Sequence, residues 1–403
     1  MTNNDYECDV AIVGGGIVGA TLAAALKDSG LRVALIEAQP HSIAVAKGQA
    51  YAISLLSSRI FQGIGVWEQI WPQIAPFRRI RLSDANAPQV VQFSPPDLGT
   101  RVLGYVAEHR ALLSALQNYL QSCDNVRWFC PAKVTHAAYA VDGVTVQLDL
   151  AGERRMLRSR LLVAADGARS QLRQQASIRT DGWQYWQSCI VATLKPEKSH
   201  NNIAYERFWP SGPFAILPLP NNRCRIVWTA PHIEAQTLVK LNDRQFLAEL
   251  HQRYGNQMGN LELEGNRFIF PVRLMQSRRY VKLRLALIGD AAHCCHPVGG
   301  QGLNMGIRDA AALAQVIQTS WNRKEDIGSL PVLKRYERWR KRENLVILAF
   351  TDFLVRCFSN RFWPLVIVRR LGLVLLRWLH PLKRYALRLM TGLWGRPPQL
   401  AQR

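Results

Sequence analysis

Hydrophobic positions change period several times along the chain, and each change marks an element. CDVAIV, residues 8–13, is a short continuous apolar run that ends in glycines, the pattern of a buried strand entering a turn. Residues 17–29 put apolar side chains on one helical face, and LRVALIE, residues 31–37, is a second strand closing on Glu37. Two later runs also end in a paired acid and glycine: RSRLLVAADGARSQLRQQ at 158–175 and RLALIGDAAH at 284–293. From Gln301 to about Ser320, Ala310, Ala311, Leu313, Ala314 and Ile317 predict a packed helix. Residues 181–272 read differently. NIAYERFWP, PFAILPLP and NRCRIVWTA alternate or run as strands, with turns at Ser211-Gly212 and Asn221-Asn222, which predicts an antiparallel sheet. Phe208, Trp209, Phe214, Ile216, Leu217 and Pro218 are its candidates for an aromatic pocket.

Length and composition narrow the class. With 403 residues, 48% hydrophobic and 20% charged, the chain folds, and it is long enough for two domains. The net charge of +22 calls for an anionic partner. Eight scattered cysteines, and Asp5, Glu7 and Asp9 where a secretory leader would be apolar, point to reduced thiols and a cytoplasmic location. The longest candidate span, FWPLVIVRRLGLVLLRWL at 362–379, is cut by Arg369, Arg370 and Arg377, so no transmembrane helix is expected.

The chemistry begins at the first turn. Gly14, Gly16 and Gly19 form G-x-G-x-x-G between a strand and a helix, with Glu37 about twenty residues on. Gly14 permits the tight turn, Gly16 lets backbone approach a pyrophosphate, and Gly19 permits close helix packing. The helix N-terminus takes the phosphate charge, and Glu37 accepts from a ribose diol. This fingerprint binds a dinucleotide and does not choose between FAD and NAD. Asp166-Gly167 and Gly289-Asp290 each put an acid at the end of a buried strand, where a sugar or ribityl hydroxyl would serve as partner.

The order of these three signals resembles the FAD-dependent aromatic hydroxylases of the p-hydroxybenzoate hydroxylase fold. His296-Pro297-Val298-Gly299-Gly300-Gln301-Gly302-Leu303-Asn304-Met305-Gly306-Ile307-Arg308-Asp309 is similar, without mismatch, to the H-P-x-x-G-Q-G-x-N-x-G-x-x-D signature of the UbiH/Coq6 family of ubiquinone-biosynthesis hydroxylases. The likeness runs over nearly the whole chain, including GYVAEHRALLSAL near residue 110. It implies an α/β fold with a Rossmann-like FAD-binding domain (1–75, 101–180 and 273–330). An antiparallel-sheet substrate domain (76–100 and 181–272) interleaves with it, and a basic helical C-terminal region (331–403) follows. It also implies that NADH or NADPH reduces FAD, that O2 gives a flavin C4a-hydroperoxide, and that a prenylated phenol of ubiquinone or plastoquinone synthesis is hydroxylated. The implied cofactor residues are Gly14, Gly16, Gly19, Glu37, Arg110, Val134, Asp166, Gly167, Gly289, Asp290, Gly302, Leu303 and Asn304. Pro297, Gly299, Gly300 and Gln301 make the loop at the flavin face that orients substrate, with the following helix aimed at the flavin N1–C2=O edge. No side-chain triad is expected, and G-x-S-x-G is absent. One departure stands out. Where the family usually has an arginine, KGQAYAISLLSSR places Gln49, with Lys47 and Arg59 nearby. That puts in question the pyrophosphate or nicotinamide-nucleotide contact at this position.

His293-Cys294-Cys295-His296 lies inside this loop. A structural zinc site needs spaced ligand pairs, and adjacent cysteines diverge, so no metal is expected. The two cysteines read as small hydrophobes whose thiols could sensitise the site to oxidation. From residue 334 on, sixteen basic residues, Arg403 the last, face only Glu337, Glu343 and Asp352, so the tail carries over half of the net charge. With Trp363, Trp378, Tyr385 and Trp394 interspersed, it predicts peripheral attachment to an anionic membrane surface, where a quinone-biosynthesis complex is a further partner. No nucleic-acid motif is present. Two other functions fit the same motifs: a flavoprotein reductase acting on a prenyl chain, and a non-catalytic FAD-binding scaffold.

Overall fold

The computed structural model describes residues 6–46, 48–85, 90–255 and 257–402; Asp5, Lys47 and Arg403 lie outside the described residues. The chain builds a mixed sheet with a parallel core and a second, mostly antiparallel sheet, which face each other across a cavity. In the first sheet, Tyr6–Val13 lies between Glu153–Ala164 and Val33–Ile36, all parallel. Leu285–Leu287 extends one edge and Val126–Phe129 the other, also in parallel. These strands read as unbroken apolar runs because helices cover the sheet. The helix Ile17–Ala25 ends four residues earlier than the sequence pattern suggests, in a turn over Leu26–Asp28. Ala165, Gly14 and Gly289 follow the C-terminal ends of the three neighbouring strands, which is where α/β sheets bind ligands.

The second sheet has eight strands in the order His293–Cys294, Leu261–Ser277, Thr180–Pro196, Arg223–Pro231, Gly212–Leu219, Ile203–Trp209, Arg79–Asp84 and Val90–Phe93. Segments from residues 79–93, 180–277 and 293–294 therefore share one sheet. The turn at Asn221-Asn222 has both residues in the left-handed region (φ 61° and 53°), as a tight hairpin needs. Two helices that the strand pattern did not show, His232–Lys240 and Asp243–Tyr254, cover its outer face. Phe214, Ile216 and Trp228 pack there beside Phe246 and Leu250. A small sheet of Ala50–Ile53, Gly104–Glu108 and Ala75–Phe77 stands at the junction.

Three helices follow the loop helix Gln301–Asn322. The long one, Leu330–Phe358, buries Leu333, Tyr336, Arg340, Asn344, Ile347, Thr351 and Val355, spaced by three or four residues on one face. Trp363–Trp378 and His380–Met390 then cross back over the antiparallel sheet. Arg369 pins the first of these. Its Nε donates to Asp84 Oδ2 at 2.7 Å, and its Nη1 donates to the carbonyls of Phe358 and Asn360 at the end of the long helix. Asp84 and Arg369 are both buried, so their mutual pairing offsets desolvation.

Arg369→Ala removes the buried guanidinium that pairs with Asp84 and uncaps the long helix. We expect a loss of about 3 kcal/mol in urea denaturation and faster proteolysis around residues 359–362. Arg369→Lys should recover part of both.

Candidate functional site

The glycines of the first turn have distinct tasks. Gly14 has φ 107°, and a Cβ there would stand 2.3 Å from the Ala165 carbonyl oxygen; one on Gly19 would stand 1.9 Å from the Gly14 carbonyl oxygen. Both are fixed by packing. A Cβ on Gly16 would meet nothing within 4 Å, so the space before the helix N-terminus is open. The first amide groups of that helix have no intrahelical acceptors and point into this space. Glu37 is held beside it. Its Oε2 accepts from the Gly15 N–H and its Oε1 from the Gln39 N–H, each at 2.8 Å.

Asp166 closes the far side of the crevice. One oxygen accepts a long bond from the Leu172 N–H (3.4 Å), and the other is buried without a hydrogen-bond partner. Burial raises its pKa. Gly167 adopts φ 80°, and Arg173 ties the segment down through the carbonyls of Ala291 and Ala168. Arg110 is exposed at the start of His109–Gln121, and Val134 is buried in Lys133–Tyr139, paired with Leu148.

The crevice leads to a cavity of about 960 Å³ between the loop and the antiparallel sheet. On the loop side, Gly289 (φ 57°) turns the chain so that Asp290 faces the cavity. The Asp290 carboxyl has no bonding partner among the described residues, and the protein around it raises its pKa. Pro297, Gly299 and Gly300 line the wall, both glycines left-handed (φ 69° and 61°), and a Cβ on Gly300 would lie 2.8 Å from that of Ala52. Gly302, Leu303 and Asn304 bring the helix N-terminus to the cavity. The Asn304 side chain is fully used within the protein. It accepts from the Ser54 N–H and the Ser57 hydroxyl, and donates to the carbonyls of Ala52 and Gly300. Gln301 departs from the expectation that it faces a ring: its amide donates to the carbonyls of Gly299 and Met390 at 2.9 Å, locking the C-terminal segment onto the loop. Gln49 lines the cavity and accepts from the Tyr51 hydroxyl (2.6 Å), whereas Arg59 borders a separate cleft with Arg384 and Arg388. The cavity's cations are Arg169 and Arg273.

The two histidines and two cysteines do not converge. His293 and Cys294 form an edge strand against Met275 and Gln276, so their side chains alternate. His293 turns inward, Cys294 and Cys295 line the cavity, and His296 is buried edge-on to Tyr185 at 5.2 Å. Among the described residues no three His, Cys, Asp or Glu groups could hold a metal. Burial pushes the Cys294 thiol up to about 12 and also raises Cys295, which favours the thiol over the thiolate at both. Burial pushes His296 down to about 3, so it is neutral.

His293 belongs to a buried network. Its Nε2 lies 2.5 Å from Asp309 Oδ2, which also accepts from the Gly289 N–H at 3.2 Å. Asp309 Oδ1 accepts from Arg340 Nε at 2.8 Å and Asn344 Nδ2 at 3.0 Å. Burial alone would raise the Asp309 carboxyl, but His293 and Arg340 outweigh it and hold the group well below the usual carboxylate range.

The sheet wall corrects the predicted pocket. Of the six candidates only Leu217 lines the cavity. Phe214 and Ile216 point to the opposite face, because alternation puts Pro213, Ala215 and Leu217 inward. Phe208 stacks on Phe358 at 4.0 Å beside the cavity, and Trp209 takes Arg207 and Arg253 over its ring. Val191, Val227, Phe270 and Val272 complete an apolar wall, and Glu206 stands on it. Sequence reading passed over Glu206, although it shares the inward period of Ala204 and Phe208 in NIAYERFWP.

The C-terminal helices leave an apolar stripe uncovered. Trp363, Ile367, Leu371, Leu375 and Trp378 are each about half exposed or more, and Arg361, Arg370 and Arg377 flank them. No described helix is long and apolar enough to cross a membrane.

Comparison with known proteins adds the following. Residues 7–342 match a family model described as FAD binding domain. The chain is 53% identical to an uncharacterized protein of Synechocystis sp. (98% of this chain, 96% of the relative). It is 39% identical to the ubiquinone hydroxylase UbiL of Rhodospirillum rubrum (98% and 93%) and 35% identical to the 3-demethoxyubiquinol 3-hydroxylase of Escherichia coli (98% and 100%). In fold it resembles the p-nitrophenol 4-monooxygenase of Pseudomonas putida, with a TM-score of 0.83 at 20% identity over 98% and 99% of the two chains.

Asp309→Ala leaves the buried Arg340 and His293 without their shared anion, and should cost about 3–5 kcal/mol in urea denaturation at pH 7. The wild-type carboxylate is depressed, so its contribution is present above the ordinary carboxylate value of about 4 and is lost as pH falls below it. The gap between the two proteins should therefore close in acid.

Proposed function

The chain belongs to the FAD-binding monooxygenase family that contains the UbiH-like and Coq6 ubiquinone-biosynthesis hydroxylases, and on that premise we propose that it hydroxylates the ring of a prenylated phenol on the way to a quinone. The observation that carries this reading is the shared cavity, where Asp290 and the glycine loop face an apolar sheet. The open space at Gly16 and the unpartnered oxygens of Asp166 and Asp290 fit FAD. Gly14, Gly16 and Gly19 would seat its pyrophosphate on the helix N-terminus, and Glu37 would take the ribose. Asp166, Gly167, Gly289 and Asp290 would take its remaining hydroxyl groups. Arg110 and the Val134 backbone would complete the nucleotide end. The amides of Gly302, Leu303 and Asn304 would face the ring, where a helix N-terminus favours negative charge.

Bound FAD, once reduced by NADH or NADPH, would activate O2, from which one oxygen atom is inserted into the substrate. The protein's part is to orient the phenol and exclude water. Leu217, Val227, Phe270 and Val272 supply the dry wall, and Pro297, Gly299 and Gly300 present backbone to the opposite side. A substrate with a long prenyl chain resides in the bilayer. The stripe from Trp363 to Trp378, with its arginines, suits an anionic membrane interface and would bring the enzyme to that substrate.

Purified protein should show a two-band flavin spectrum, release FAD on denaturation, and carry isotope from labelled O2 into a hydroxylated prenylated phenol while oxidising NADH or NADPH. A reduced prenyl chain without label, or bound FAD without any substrate-stimulated oxidation, would sink the reading. For the membrane, co-sedimentation with phosphatidylglycerol vesicles should weaken about tenfold in a Trp363→Ala, Trp378→Ala double variant, and should fall as salt rises.

A further inference from the structure

One polar group in the cavity has no task in the reading above. Glu206 lies on Ile203–Trp209, directly opposite Leu82 on one side and Ala215 on the other. The same cross-strand row continues through Val227 and Val191, so the carboxyl stands in an apolar row facing the cavity. Asp290 is the only other acid lining the cavity among the described residues, and it belongs to the loop wall. No described residue hydrogen-bonds to Glu206 or pairs with it. An unpartnered carboxyl in such a wall costs stability unless a ligand brings it a polar partner.

We propose that Glu206 receives the phenolic hydroxyl of the substrate and takes its proton during ring attack. The inference rests on the hydroxylation reading. As a ring carbon bonds to one oxygen atom of O2, the O–O bond breaks, the other oxygen leaves as water with the two electrons of the reduced cofactor, and electron density leaves the phenolic oxygen; the ring carbon then loses its own hydrogen as a proton, which restores the aromatic ring. The phenolic O–H bond then breaks, its electron pair stays on that oxygen, and the proton passes to a Glu206 carboxylate oxygen, leaving a neutral acid. No oxidant is needed beyond the O2 and reduced cofactor of the proposed reaction. A phenol presented this way points its ring toward the loop wall, and its prenyl chain lies along the apolar rows.

The groups around Glu206 leave its charge unopposed. Cys189 and Thr229 stand in the next row of the sheet. Asp84, in the same row as these, is engaged by Arg369. Arg225, one row the other way, lies 4.0 Å from Glu108. Arg207 points to the opposite face, toward the carbonyls of Arg253 and Ala85. Arg273 stands along the sheet, and Tyr51 and Asp290 stand on other walls. Burial alone pushes the Glu206 carboxyl up to about 8. The base form therefore grows as pH rises through that value, and kcat/KM of the free enzyme should rise with it.

The test compares the full-length, FAD-loaded wild type with Glu206→Gln and Glu206→Leu, using a geranyl-substituted phenol and its methyl ether. Glu206→Gln should retain FAD and keep KM within a few-fold. It should lose about a hundredfold in kcat and lack the rising limb near pH 8. Wild type should not turn over the methyl ether, which has no proton to give. Glu206→Leu should fold and melt higher than wild type at pH 9, because the raised carboxyl costs stability as pH climbs through about 8. A Gln variant with wild-type rate and limb, or a wild type that hydroxylates the methyl ether equally well, overturns the proposal. A wild type that forms no hydroxylated product from the phenol overturns the functional reading itself.

Discussion

Everything around the cavity hangs on one buried carboxylate. Asp309 is fully buried, and its four partners tie together three pieces of chain: the Gly289 amide of the third acid-bearing turn, His293 of the edge strand, and Arg340 and Asn344 of the long helix. An isolated anion at that depth would be prohibitive. Surrounded by donors, it fixes where the loop leaves the parallel sheet, where it joins the antiparallel sheet, and how the C-terminal region docks. Arg340 extends the network to Glu343, whose carboxylate also accepts from the Arg396 N–H.

Around that anchor, two walls do different physical work. The loop wall is mostly backbone: left-handed glycines, a helix start, and side chains such as Asn304 and Gln301 that turn away to hold the backbone in place. Such a wall lets a flat ring lie close and offers it amide groups. The sheet wall is mostly side chain, apolar in its rows, with a single carboxyl. One wall suits a cofactor whose chemistry needs support, and the other suits a greasy substrate whose orientation must be set.

The parallel half was legible in sequence because its constraints are local. Gly14 and Gly19 are demanded by contacts within a single strand-turn-helix unit, and the acids at strand ends follow from buried runs of one kind. The antiparallel half was legible as strands but not as faces. Phe214 and Ile216 looked like pocket residues because they are large, yet a single-residue offset in register sends them to the outer helices. Glu206 was invisible for the related reason that its meaning depends on Leu82, 124 positions away, and on Ala215 beside it. The long-range Asp309–Arg340 and Asp84–Arg369 pairs also had no local signature. Charge counting assigned those arginines to a membrane-facing surface, whereas both are buried.

The bond from Gln301 to the Met390 carbonyl has a consequence for how the site is laid out along the chain. Met390 and Thr391 are part of the cavity wall, and the strand Tyr6–Val13 cannot complete its sheet until Glu153–Ala164 and Leu285–Leu287 have been made. In chain order, the turns that carry Gly14, Asp166 and Gly289 all precede the segment that completes this wall. The Gln301–Met390 bond thus makes the cavity wall a joint product of the glycine loop and a segment about ninety residues further along the chain.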